Sequence, residues 1–282
     1  MQRLLFTIGY VSAKPFFSGF EEELDFVDYG TEWYDAEHSH ITVVDRIQMA
    51  LNLLETELIE QTVDSDNNVS SMLIDSGILT NKSAAVANTP PSVGIDLDNI
   101  WNYGCWCYLN DNWGKGKGVP VNEVDNICKV LHDGYECILH DHKIEYPKDS
   151  CDPWTVDYVS AVKLGRSNKE LENYCIKYNK DACAQRTCIV ESHFIQSFFK
   201  LAIDKNHRFE PLYKHDLGFD PEDKRNCPTI GGKKSEKSCC GIYPERYPFK
   251  TFDGQRQCCK RQTYDVNVRE CCNGVVSGLG TC

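Results

Sequence analysis

One stretch of the chain combines residues that could do chemistry. From Tyr103 to Cys137 it reads Y-G-C-W-C-Y-L-N-D-N-W-G-K-G-K-G-V-P-V-N-E-V-D-N-I-C-K-V-L-H-D-G-Y-E-C. His132 and Asp133 sit side by side: an imidazole that can take a proton and a carboxylate that can hold a cation. Val124, Cys128, Leu131 and Tyr135 recur at three- and four-residue steps, which predicts an amphipathic helix. His132 falls four residues after Cys128, on the apolar side of that helix. Upstream lies an irregular loop with cysteines at 105 and 107 and the run G-K-G-K-G at 114–118. That run is not a P-loop and reads as a mobile basic loop. Trp106, Trp113, Lys115 and Lys117 together would suit a lipid interface.

This pattern resembles secreted phospholipase A2. The family opens with Y-G-C-x-C, passes a G-x-P turn, and continues into a helix with D-x-C-C-x-x-H-D-x-C-Y. Tyr103, Gly104, Cys105 and Cys107 match the opening, Gly118 to Pro120 the turn, and Asp125, Cys128, His132 and Asp133 follow. The resemblance runs from about Asn99 to about Asp204. It implies that the backbones of Trp106, Tyr108 and Asn110 and the side chain of Asp133 hold Ca2+, a hard cation suited to oxygen ligands. It further implies that His132 is the base for a water attacking the sn-2 ester of a phospholipid. An acid on an antiparallel helix would orient the histidine; Glu191 is that residue, with Glu136 as competitor. Disulfides Cys107–Cys128 and Cys137–Cys188 follow from family positions. The sequence also departs from the pattern. Tyr108, Asn110 and Asp111 replace loop glycines, and the single cysteine before His132 stands four residues upstream, where the family has three.

The elements that must position these residues are set by composition. The 282 residues carry a formal charge of −12, which argues against a nucleic-acid partner. Residues 1–98 hold 17 acidic against four basic side chains, so the remainder is near neutral. None of the 16 cysteines precedes Cys105; eight lie in 105–188 and eight in 227–282. Two even sets predict two disulfide-stapled modules made in an oxidising compartment, hence a secreted protein. Zinc binding would want C-x2-C pairs, whereas the tail has adjacent C-C pairs.

The expected fold is mainly α in three parts: an acidic N-terminal region and linker (1–94), a disulfide-linked antiparallel two-helix module (95–205), and a small disulfide-rich irregular or β tail (206–282). In the first part, Val44, Ile47, Leu51, Leu54 and Leu58 form a helical stripe, read first as a solvated amphipathic appendage and otherwise as a helix that docks on the next module. The linker carries glycosylation acceptor patterns at Asn68 and Asn81. In the second part, helices are expected over Lys169–Tyr178 and Cys183–Ile203. In the tail, C-C pairs recur at 239/240, 258/259 and 271/272, with Phe252-Asp253 and Tyr264-Asp265 six or seven residues before the next pair. This short repeat resembles those of galaxin-like extracellular matrix proteins. Two functions are therefore expected from the resemblances: calcium-dependent hydrolysis of phospholipid at a membrane surface, or a non-catalytic extracellular matrix component built on the same scaffold.

Overall fold

The computed structural model describes residues 43–65, 100, 102–108, 116–203, 209–229 and 235–282. The acceptor asparagines 68 and 81, Asn110, Trp113 and Lys115 lie outside the described residues. Among the described residues, no helix is long and apolar enough to cross a membrane.

Among the described residues, four helices form the body: α1 (Val43–Ser65), α2 (Glu123–Glu145), α3 (Asn168–Tyr178) and α4 (Ala182–Ile203). Each starts or runs where local chemistry directs it. Asn122 caps α2 by accepting the Asp125 N–H, just after the Pro120 turn. Ser167 and Glu170 form a capping box for α3. Along α4, Cys188, Ile195, Phe198 and Phe199 recur on one side and are buried.

Helices α2 and α4 are the central pair. Gly134 of α2 meets Val190 of α4 so closely that a Cβ would lie 2.7 Å from a valine methyl. Tyr135 bonds Glu191, and Glu145 at the far end of α2 pairs with Arg186 near the start of α4. The two helices therefore run antiparallel, as expected. The bonds that secure them are different. Cys137 bonds Cys239 in the tail, and Cys188 bonds Cys175 of α3, so the expected Cys137–Cys188 bridge is not formed. No disulfide joins α2 to α4 directly; Cys183 of α4 reaches Cys151 in the loop between them. Packing holds this pair, and disulfides fasten the surrounding segments to it.

Helix α1 is not the solvated appendage of the first expectation; it takes the other reading and docks on the next module. Ile47 and Leu51 are fully buried, and Val43, Ala50 and Leu54 join the same core as Leu131, Tyr135, Phe194 and Phe198. The stripe that the periodicity identifies is real, but its covering surface is α4, which lies far away in sequence.

The tail is three antiparallel hairpins: β1 (Lys237–Cys240) with β2 (Tyr247–Lys250), β3 (Arg256–Cys259) with β4 (Gln262–Asp265), and β5 (Arg269–Cys272) with β6 (Val275–Gly278). The last closes through Asn273-Gly274, both at positive φ, the residues a tight hairpin turn requires. Hairpin β1–β2 is bolted to α2: besides Cys137–Cys239, Arg246 and Tyr243 bond Asp141. Burial disfavours the Asp141 carboxylate, but Arg246 and Tyr243 outweigh it and hold its pKa below the usual range.

Docking of α1 sets a stability expectation. Leu51→Ala should cost about 2–5 kcal/mol, read by urea denaturation. A solvated appendage would give a change within about 0.5 kcal/mol.

Candidate functional site

The cysteine loop is built around one carboxylate. Asp125, in the first turn of α2, accepts the N–H groups of Cys105 (2.9 Å), Trp106 (2.7 Å) and Val121 (2.9 Å). Burial raises its pKa, and these three donors oppose the rise. Gly104 crosses it at φ +60°, where an added Cβ would lie 2.4 Å from the Asp125 carboxyl carbon, so only glycine fits. The Cys107–Cys128 bridge then ties the loop to α2, and Cys105–Cys227 ties it to the segment after α4. His215 of that segment donates its Nε2 hydrogen to the Gly104 carbonyl at 2.7 Å. Tyr108 packs against His215, and burial pushes its hydroxyl up to about 12.

This framework brings His132 and Trp106 together. Their rings lie 6.0 Å apart, and the Trp106 backbone accepts a hydrogen bond from the imidazole. Burial dominates all the same and lowers the His132 pKa to about 4, so the ring is neutral near pH 7. Asp133 is ion-paired with Lys129, whose ammonium also sits 5.1 Å over the Trp106 ring. Burial raises the Asp133 pKa, and Lys129 opposes that rise. These groups line one side of an open cleft of about 510 Å³, and Lys237, Pro248 and Phe249 of hairpin β1–β2 line the other.

Glu191 is elsewhere. It is fully buried and accepts from Arg46 Nη2 (2.7 Å) and Nε (3.3 Å), from Tyr158 (2.5 Å) and from Tyr135. Arg46 also donates to the carbonyls of Trp154 and Pro153, both at 3.0 Å. Burial alone would lower the Arg46 pKa, but Glu191 outweighs it and holds the guanidinium above its ordinary value. Burial and the adjacent carboxylate raise both tyrosines well above theirs. The carboxylate expected to orient His132 thus holds an arginine and two tyrosines. Glu136, the competitor, pairs with Lys237.

Three anchors fix how α2 is placed relative to the family motif: Asp125 under the loop, Cys128 bonded to Cys107, and Tyr135 bonded to Glu191. In D-x-C-C-x-x-H-D-x-C-Y the histidine comes six residues after the aspartate, three after the second cysteine and four before the tyrosine. All three counts fall on Leu131, which is fully buried. His132 then stands where the motif has its calcium aspartate, and Asp133 one place further. One residue is about 100° of helix rotation, enough to turn a side chain onto another face.

The ligand set expected for Ca2+ does not fit the residues described. Trp106 O already accepts the Tyr108 N–H at 2.8 Å, and a lysine ammonium occupies Asp133. Cation-binding carbonyls would need to converge on a carboxylate free to meet them.

Sequence reasoning missed Arg46, Tyr158 and Tyr135 as a set. One signal existed: Arg46 is one of only four basic residues in the first 98, next to the apolar stripe at Ile47.

The arrangement is that of a disulfide-stapled, helix-rich module with small antiparallel strand pairs in its C-terminal part. The chain is similar to the phospholipase A2 A2-actitoxin-Cgg2a of the sea anemone Condylactis gigantea, with 25% identity over 122 residues, 42% of this chain and 84% of the relative. The relationship is distant and partial. No protein-family model and no solved structure matches the chain.

Two measurements probe this site. Arg46→Met should destabilise the fold by about 3–5 kcal/mol, because it leaves Glu191 buried without its cation. Adding Glu191→Gln should recover part of that loss in denaturant titrations, since the amide carries no charge. For His132, the unfolded ring protonates near pH 6.5 and the folded ring near pH 4. Folding stability should therefore fall as pH drops from about 6.5 to 4, by about 3 kcal/mol for this group, and level off below. His132→Gln should remove that component of the pH profile.

Proposed function

We propose that this chain is a secreted, non-catalytic phospholipase A2-like protein, a stapled extracellular scaffold whose partners belong to a matrix or cell surface. The observation that carries this reading is the placement of Leu131. A leucine has no atom that can take a proton from water, so the position that would hold the general base is chemically inert. Beside the carboxylate that should orient such a base lies Arg46, which is always protonated and can only donate. Asp133 is neutralised by Lys129, which leaves little field for a second cation. Eight disulfides pair all 16 cysteines, which suits an oxidising, extracellular setting, and the cysteine-repeat tail suits association there.

The hydrolytic alternative keeps one observation in its favour: His132 and Asp133 are near the cysteine loop and line an open cleft. A fatty-acid release assay on phosphatidylcholine vesicles separates the two. The oxidised chain should release no more acid with calcium than with chelator, and His132→Gln should match it. Calcium-dependent release that disappears in His132→Gln would overturn the non-catalytic reading.

A further inference from the structure

The tail's cysteines are wired in an order that the repeat alone does not reveal. In each C-C pair the two residues are neighbours on one strand, so their side chains point to opposite faces and the two cannot serve the same partner. The first of each pair bonds backward and the second forward. Cys239 goes back to Cys137 of α2, and Cys240 goes forward to Cys258. Its neighbour Cys259 goes on to Cys271, and Cys272, next to that, closes on Cys282. A continuous covalent path therefore leads from residue 282 to α2 through four disulfides and only three peptide links. Each Cα–Cα step across those disulfides is between 5.4 and 5.7 Å.

We infer that the tail is a tension-carrying strap: tension applied at residue 282 is delivered to α2 through this disulfide path, and the hairpins carry none of it. Two-stranded hairpins of four residues per strand are weak by themselves and would unzip under load. Here unzipping yields no length, because every hairpin is a side loop off the taut path. The attachment at the other end suits the same role. Cys137 is fully buried in α2, and hairpin β1–β2 is further held there by Arg246 and Tyr243 on Asp141 and by Lys237 on Glu136. The partner such a device fits is an extracellular network that pulls on the tail while the helical body stays folded. The inference does not depend on whether the body hydrolyses lipid.

Single-molecule stretching of the full oxidised chain tests it, with one handle on residue 282 and the other on an azide-bearing amino acid at the exposed position Lys143 in the last turn of α2. The covalent shortcut limits full extension to about 60 Å, whereas the backbone between the handles reaches nearly ~500 Å. The oxidised chain should stop near the first figure, and the same chain after thiol reduction should reach the second, roughly an eightfold change. Replacing Cys240 and Cys258 together by serine opens one step and should add about 55 Å. Cys272→Ser with Cys282→Ser, at the end farthest from the core, should add about 30 Å and leaves the rest of the path intact. An oxidised chain that extends close to the reduced length, or pair replacements that add no length, would overturn the strap.

Discussion

A charged carboxylate with no exposure to water constrains the helical body more than any other group. Glu191 can be buried on α4 only because Arg46, Tyr135 and Tyr158 supply donors to both of its oxygens. Those donors come from α1, from α2 and from the loop that joins α2 to α3. Removing any one leaves a charge or a hydroxyl in an apolar core with reduced compensation. The cluster thus specifies which three segments surround α4 and how they are turned. It accounts for the docking of α1 in a way that its apolar stripe does not, since an apolar stripe can be covered by many surfaces.

The same constraint sets how α2 is turned. With Tyr135 held to Glu191 and Cys128 held to Cys107, the rotation of α2 between them is set. Leu131 faces inward with Tyr135, and His132 faces the cysteine loop. A histidine next to an aspartate is therefore not equivalent to the same pair one position earlier. The neutral, buried imidazole packs beside Trp106, and Lys129 neutralises the neighbouring carboxylate.

The disulfides follow a division of labour. Those of the body close the cysteine loop and fasten loops and α3 to helices that already pack well. Those of the tail replace a core: its hairpins bury few side chains, among them Cys239, Cys240, Phe249 and Cys259. Small units of this size depend on cross-links for their stability.

Much was legible in the sequence because it is local. The periodicity of Val124, Leu131 and Tyr135, of Ile47, Leu51 and Leu54, and of Ile195, Phe198 and Phe199 marks three helices, since burial on one face imposes a 3.6-residue repeat. Asn122 and Ser167, whose side chains accept the first unpaired N–H groups of α2 and α3, are equally local signals that the spacing argument did not use. The even cysteine sets mark a stapled protein. What only the tertiary structure decided is non-local pairing: that Cys137 takes Cys239 and Cys188 takes Cys175, that Glu191 takes Arg46, and that Leu131 joins the core while His132 packs beside Trp106 of the cysteine loop. A cysteine or carboxylate bonds whichever partner the packed chain brings within a few ångströms. A one-residue shift along a helix alters spacing by a single letter yet turns the side chain by about 100°.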